Sequence, residues 1–313
     1  MSTLPEAAAL PRFLVFGEAL TDFVRTGTHS WHSAAGGACW NVARVTATLG
    51  LATGWGGAVS DDFFGQDLVE RSRTAGLDLR FLQQVQKPPL IAMVHQSHPP
   101  RYFFLGNDSA DLAFDESLLP SGWQEACEIA HFGCISLVRQ PLGARLVRIA
   151  EDLKKRGARI SYDPNCRNVM GADFPAQFEH MARLADIIKL SDEDLAHIYP
   201  ALASAEASLR RVRALAPQAM ILYTRGADGL SLHTPAETLE QSAFGVTVAD
   251  TVGAGDACIG GFIASLMSQP AREAAHHLRF AAAAAAAACM HPGAHAPTLA
   301  EVQWLLAGAV PQR

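Results

Sequence analysis

Asp250-Thr251-Val252-Gly253-Ala254-Gly255-Asp256 runs directly into Ala257-Cys258-Ile259-Gly260-Gly261-Phe262-Ile263-Ala264-Ser265-Leu266-Met267. The second segment reads as a helix, which sets the N–H groups of residues 253 to 256 at its N-terminus. Free donors there, with the positive end of the helix dipole, hold and polarise a phosphate. Asp256 starts from the same helix end, so a carboxylate able to accept a proton and an anion cradle converge. Phosphoryl transfer to a hydroxyl needs this pairing, because the phosphate charge must be neutralised while the hydroxyl proton is removed. The simpler alternatives are a glycine turn that only permits positive φ and an aspartate that only caps the helix. A cap alone gives Asp256 no obvious purpose.

Around this stretch, apolar strand-like runs alternate with amphipathic helical ones, which predicts a mostly parallel sheet covered by helices on both faces. Strands are expected at Phe13–Phe16, Thr53–Val59, Ile129–Phe132, Arg159–Tyr162, Ile187–Lys189 and Met220–Tyr223. Helices are expected at Ala38–Leu49, Asp62–Ala75, Leu142–Arg156, Leu202–Leu215 and Ala254–Met267. Two segments break the alternation. Residues 22–33, and Leu90–Gln96 with Arg101–Leu105, read as β-hairpin material, with His98-Pro99-Pro100 as the turn. The eight alanines of Ala281–Ala288 predict a closely packed core helix, since alanine favours helix and lets neighbours approach.

At 313 residues and 49% hydrophobic content the chain can bury one large α/β core, read here as a single domain over residues 1–313. No apolar run approaches the roughly 18–20 residues that span a bilayer. Met1–Pro11 lacks the basic start and apolar stretch of a secretory signal, so a cytoplasmic location is expected. The six cysteines show no framework spacing and read as reduced packing residues. The twelve histidines form no metal pattern: His291 and His295 are four apart, but Pro292-Gly293 interrupts helical geometry, and they read as loop residues. A formal charge of −6 offers no basic surface for nucleic acid.

The Asp250–Asp256 segment resembles the C-terminal signature of the ribokinase-type (PfkB) carbohydrate kinases. Gly36-Gly37-Ala38-Cys39-Trp40-Asn41-Val42-Ala43, with Leu49-Gly50 and Asp61-Asp62-Phe63-Phe64-Gly65, resembles their N-terminal signature. Lesser matches are Gly17–Asp22, Asp163–Arg167, Lys189–Asp194, Thr224–Gly229 and Pro297–Val302, so the likeness spans nearly the whole chain. Within the family it is most similar to the fructokinase and 2-keto-3-deoxygluconate kinase branch. The resemblance implies a ribokinase-like three-layer α/β/α fold with a mostly parallel central sheet. It also implies a small β-sheet lid, inserted at about 22–33 and 90–106, that closes over the sugar and pairs with a second subunit in a homodimer.

The resemblance also implies roles. Asp256 would be the catalytic base, with the amides of Gly253, Ala254 and Gly255 as the anion hole. Asp22 would bind sugar hydroxyls, Gly36 and Gly37 would let the backbone approach the sugar, Asn41 would contact it through its amide, and Arg167 would lie near the transferred phosphate. Lys189, Ser191, Thr224, Gly226 and Gly229 would join Gly253 and Gly255 at the nucleotide. Asp163, with Asn165, and Asp194 would order magnesium through water, although Ser191 and Asp194 stand where the family usually has asparagine and glutamate. Asp250 and Thr251 are candidates for a monovalent cation such as potassium, near the Cys289–Ala294 loop.

One departure bears on the substrate. Relatives often carry a sugar-contacting arginine before the Ser-Ala-Asp segment, but here Gly106 precedes Ser109-Ala110-Asp111 in its place. A sugar acid is thereby disfavoured unless Arg101 folds inward. The expected reaction is ATP- and magnesium-dependent phosphorylation of a primary hydroxyl of fructose. Ketodeoxygluconate kinase or ribokinase is the alternative, and a nucleoside kinase, a non-catalytic sugar- or nucleotide-binding relative and a dinucleotide oxidoreductase stand further off. The first βα turn lacks the Gly-x-Gly-x-x-Gly of the last of these.

Overall fold

The computed structural model describes residues 9–97 and 100–308. From the N-terminus the chain forms β1 (Phe13–Phe16), β2 (Leu20–Arg25), β3 (Trp31–Gly36), α1 (Ala38–Thr48), β4 (Thr53–Ser60), α2 (Phe63–Ala75), β5 (Leu82–Val85), β6 (Ile91–Ser97) and β7 (Pro100–Leu105). The middle of the chain gives α3 (Trp123–Ala126), β8 (Ile129–Gly133), α4 (Leu142–Lys155), β9 (Arg159–Asp163), α5 (Phe174–Leu184), β10 (Ile187–Ser191), α6 (Asp192–Ile198) and α7 (Ala205–Leu215). It ends with β11 (Met220–Thr224), β12 (Leu230–His233), β13 (Thr238–Gln241), α8 (Ala254–Ser268), α9 (Ala274–Cys289) and α10 (Leu299–Leu306).

Among the described residues, nine strands form the central sheet in the order β13-β12-β11-β10-β9-β8-β1-β4-β5. All neighbours pair in parallel except β12, which runs antiparallel to β11 and β13. Alternation of side chains along β1 shows why both faces need helices. Leu14 and Phe16 join the core beneath α4, α5, α6 and α7, whereas Phe13 and Val15 join the core beneath α1, α8 and α9. This is a three-layer α/β/α arrangement.

The alanine run lies inside α9, against α8. A Cβ on Gly261 of α8 would stand 2.5 Å from the Ala284 Cβ, so the small residues permit a close helix pair. The second sheet has the order β3-β2-β6-β7 and is the expected lid. β2 pairs antiparallel with β3 and parallel with β6, and β6 pairs antiparallel with β7. Residues 98 and 99 of the expected turn, and the Arg101 side chain, lie outside the described residues. Two helix starts differ from the sequence reading: Asp62 is the N-cap of α2 rather than its first residue, and α7 begins at Ala205 rather than Leu202 because the Ser204 hydroxyl accepts Ala207 N–H at 3.2 Å and caps it.

Candidate active site

Parallel α/β sheets bind ligands beyond the carboxyl ends of their strands. Here those ends carry Glu18 after β1, Asp163 on β9, Ser191 on β10 and Thr224 on β11. The start of α8 comes to the same side. Gly253 is its N-cap at φ 79°, and a Cβ there would be 2.9 Å from the Cα of Ala294, so only glycine fits. Ala254 N–H donates to Thr251 O at 3.2 Å, which satisfies that amide within the turn. The Gly255 and Asp256 N–H groups belong to the first helical turn, which has no intrahelical acceptor for them.

Asp256 is 6% exposed, and two amides hold its carboxylate. Asn41 Nδ2 donates to Oδ2 at 2.9 Å and Asn165 Nδ2 donates to Oδ1 at 3.3 Å. Burial pushes the carboxyl up to about 6, against the Asn41 hydrogen bond and the positive charges of Lys189 and Arg167. Asn165 holds this position with φ 40°, an uncommon left-handed conformation fixed in part by its N–H bond to Asp163 Oδ1 at 3.0 Å.

The residues expected to face a sugar gather where β2 and β3 meet α1. A Cβ on Gly36 would stand 2.2 Å from Asp22 Oδ2, so glycine makes room for that carboxylate. Gly37, at φ 116°, would carry a Cβ 2.6 Å from Glu18 O, so it lets the chain pass from β3 into α1. Burial raises the Asp22 carboxyl to about 7 while Arg167 opposes the shift. The Arg167 charge therefore acts on both Asp22 and Asp256. Its guanidinium donates to Asn165 O and Cys166 O at 3.1 and 2.9 Å, and lies 5.4 Å from the Tyr102 ring of the lid.

The residues assigned to nucleotide and metal divide into two groups. Lys189, on β10, lies among buried carboxylates. It is buried, with Nζ 3.2 Å from Asp163 Oδ2 and 3.8 Å from Asp194 Oδ2, and a Cβ on Gly255 would stand only 3.1 Å from it. Burial works against its charge, yet Asp163 and Asp194 raise its pKa overall. Asp163 is likewise buried and pushed up to about 7, Lys189 opposing. Ser191 and Asp194 form a capping box at the start of α6. Both Asp194 oxygens accept backbone N–H groups, Oδ1 from Cys166 at 2.7 Å and Oδ2 from Ser191 at 2.8 Å. The residue thus secures the Asp163–Arg167 loop and counterbalances Lys189.

Thr224 is half-buried beside Leu190 O, and Gly226 is exposed at φ 53°. Gly229 serves the β12–β13 hairpin, since its Cβ would meet Gln241 O at 2.3 Å. The Asp250 carboxylate accepts N–H groups of Val252 at 3.1 Å and Gly293 at 2.9 Å, which joins the 250–253 turn to the loop after α9; Thr251 is exposed beside it.

Sequence reasoning gave no role to Glu18, which is 1% exposed. Its carboxyl accepts the Ala38 N–H at 3.0 Å and the Ser136 hydroxyl, and its own N–H donates to Ser136 Oγ at 2.7 Å. It anchors the start of α1, and burial raises its pKa against the Ser136 bond. The available signal was a glutamate between the apolar runs Phe13–Phe16 and Ala19–Leu20. A second correction concerns Gly106. Arg139, from another part of the chain, donates to Gly106 O at 2.6 Å, to Ser109 Oγ at 2.8 Å and to Asp111 at 2.8 Å, so a guanidinium already occupies that neighbourhood. A third concerns His291 and His295, which the loop brings against Glu301.

Comparison with known proteins agrees with this geometry. Residues 11–301 match the pfkB family carbohydrate kinase pattern. A fructokinase of Rhizobium leguminosarum bv. trifolii is 32% identical over 81% of this chain and 79% of its own. The crystal structure of fructokinase with bound ATP from Xylella fastidiosa superposes with a TM-score of 0.85 at 27% identity, covering 96% of this chain and 99% of the other. Aminoimidazole riboside kinase from Salmonella enterica, complexed with aminoimidazole riboside and an ATP analogue, gives 0.81 at 25% identity, covering 94% and 99%.

Proposed function

Because the chain belongs to the pfkB family of carbohydrate kinases, we propose that it is an ATP-dependent fructokinase forming fructose 6-phosphate, with residues 1–313 acting as a single kinase domain. The observation that carries the reading is the buried Asp256 carboxylate at the start of α8, held by Asn41 and Asn165 and sharing the field of Arg167 with Asp22. The sugar hydroxyl oxygen attacks the γ-phosphorus, the bond to the bridging oxygen of ADP breaks, and the hydroxyl proton passes to Asp256. A pKa near 6 leaves the carboxylate ionised at neutral pH yet basic enough to take that proton. Arg167 and the Gly255 and Asp256 amides of α8 stabilise the charge on the transferring group, Ala254 N–H being taken by Thr251 O. Asp22 accepts hydrogen bonds from sugar hydroxyls, and Gly36 gives it the space to do so.

Asp163 Oδ2, ion-paired with Lys189 Nζ at 3.2 Å but accepting no hydrogen bond, is a hard oxygen suited to hold a water of a magnesium shell. Magnesium bound with ATP would neutralise phosphate charge there. Asp250 and the backbone around Thr251 offer oxygen donors suited to potassium. A lid-to-lid homodimer is supported by Trp31, Phe103 and Leu105, which are 39%, 58% and 47% exposed on lid strands. The six free cysteines fit a reducing compartment such as the cytoplasm.

A panel of fructose, ketodeoxygluconate, ribose, glucose and adenosine with ATP and magnesium tests the reading. Fructose should give the highest kcat/KM. A higher value for another substrate replaces the fructokinase assignment, and turnover of none supports a non-catalytic binding role.

A further inference from the structure

The loop after α9 gathers three metal-binding side chains that phosphoryl transfer leaves unused. His291 Nε2 lies 2.8 Å from Glu301 Oε1, and His295 Nε2 lies 3.3 and 3.4 Å from the two oxygens of the same carboxylate. One ligand atom from each residue falls within 4.8 Å of the others. Pro292 and Gly293, the latter at φ 70°, turn the chain so that the two imidazoles stack with centroids 4.0 Å apart. The i, i+4 spacing therefore produces convergence through a turn, not through a helix.

The carboxylate is set in place independently of the histidines. Glu301 is the N3 residue of the α10 capping box, and its Oε2 accepts the Thr298 N–H and hydroxyl, both at 2.7 Å. Oε1 faces both imidazoles. The three side chains are 42%, 29% and 31% exposed, so an ion can reach them from solvent. Two imidazole nitrogens and one carboxylate oxygen suit zinc and its neighbours in the first transition row, and a hard ion such as magnesium much less. With bonds of about 2.0–2.2 Å, a tetrahedral ion spaces its ligand atoms about 3.3 Å apart, near the 2.8–3.4 Å between the imidazole nitrogens and the carboxylate oxygens.

We propose that His291, His295 and Glu301 form a binding site for one zinc-like divalent transition ion, with a fourth position open to water. The bound ion ties the 290–295 loop to α10. That loop also holds Asp250 through Gly293 N–H and receives Arg44 at Ala294 O, at 2.9 and 3.4 Å. Occupancy thus fastens the side of the molecule on which the 250–253 turn rests.

The test uses tag-free, full-length protein stripped with chelator and kept in excess magnesium. Calorimetric titration with zinc should show one saturable equivalent, and bound zinc should raise Tm. Cobalt should give visible d–d bands without thiolate charge-transfer absorption, which excludes the nearby Cys289 as a ligand. His291→Ala and His295→Ala should each weaken zinc binding about tenfold or more. Glu301→Gln, which preserves the capping box, should weaken it as well. His180→Ala, removing a comparable surface pair with Glu151, should leave it unchanged. Absence of saturable zinc binding overturns the proposal. So does unaltered affinity in a folded double variant lacking both His291 and His295, with folding checked by circular dichroism.

Discussion

Asn41 Nδ2 donates to Asp256 Oδ2 across 2.9 Å, joining residues 215 positions apart in the chain. Asn41 lies in the first turn of α1 and Asp256 in the first turn of α8, so one hydrogen bond ties the Gly36-Gly37 turn to the start of α8. Together with Asn165 on the other oxygen, it fixes the carboxylate in a buried site. Moving that carboxyl from 3.8 to about 6 corresponds to about 3 kcal/mol against ionisation. The fold supports this cost, and the carboxyl is left to titrate near 6.

Asp256→Asn should lower kcat by about 10²–10⁴, the usual worth of a positioned general base. The change is structurally mild. Asn41 Oδ1 is buried without a hydrogen-bond partner, so its amide can turn over and accept from an asparagine at 256. Sugar and nucleotide affinity should persist by calorimetry. A variant retaining a large part of wild-type turnover, with chemistry rate-limiting, removes Asp256 from the role of base.

The pH dependence follows from the same shift. kcat should fall as pH drops through about 6, because the protonated carboxyl cannot accept the hydroxyl proton. Asn41→Ala removes a bond that favours the ionised form, so this limb should move to higher pH. For stability the sign is opposite to activity. A carboxyl whose folded pKa is raised stabilises the fold below its unfolded value, and that contribution is lost as pH rises through the folded pKa. Asp256→Asn should therefore raise Tm at pH 8 relative to wild type, with the gain shrinking toward pH 4. An equal Tm difference at both pH values contradicts the assigned shift.

How much of this was legible in the sequence depended on whether the cause was local. Strands such as Phe13–Phe16 declare themselves by apolar runs, and Gly253-Ala254-Gly255-Asp256 carries its own helix start. Asp22 and Gly36 stand 14 positions apart, yet their packing depends on the β2–β3 pairing, which no local pattern encodes. The likeness of Lys189–Asp194 to the family's motif implies a nucleotide role for Lys189. Its burial beneath Gly255 depends on β9, β10 and α8 meeting. Glu18, Asn165 and Arg139 act through partners 20 to 118 positions away, beyond the reach of periodicity or spacing.

Asp22→Ala should weaken sugar binding while leaving nucleotide affinity nearly unchanged. The loss should be about 1–3 kcal/mol, as for hydrogen bonds to a charged group. Separate calorimetric titrations with fructose and with an unreactive ATP analogue measure the two effects. Equal losses for both ligands would place Asp22 in a general structural role.

Substrate charge gives the last prediction. Wild type should prefer fructose to ketodeoxygluconate by kcat/KM, because a sugar acid needs a free cation and Arg139 is already neutralised by Asp111 at 2.8 Å. Supplying an arginine at position 106 is not a clean remedy. A Cβ there would meet Leu90 Cδ1 at 2.5 Å and Ser109 Oγ at 2.8 Å, so even Gly106→Ala should destabilise the protein, by about 1–3 kcal/mol. Asp111→Asn is the better probe, since it keeps an acceptor for the guanidinium while removing the opposing charge. Arg139 lies beside Phe104 of the lid strand β7, so its released charge would sit next to the lid. The fructose-to-ketodeoxygluconate ratio should then narrow by about tenfold, the order expected for one charge-assisted contact. A ratio unchanged in a folded Asp111→Asn variant would show that Arg139 does not address the sugar, and that the preference arises elsewhere in the lid.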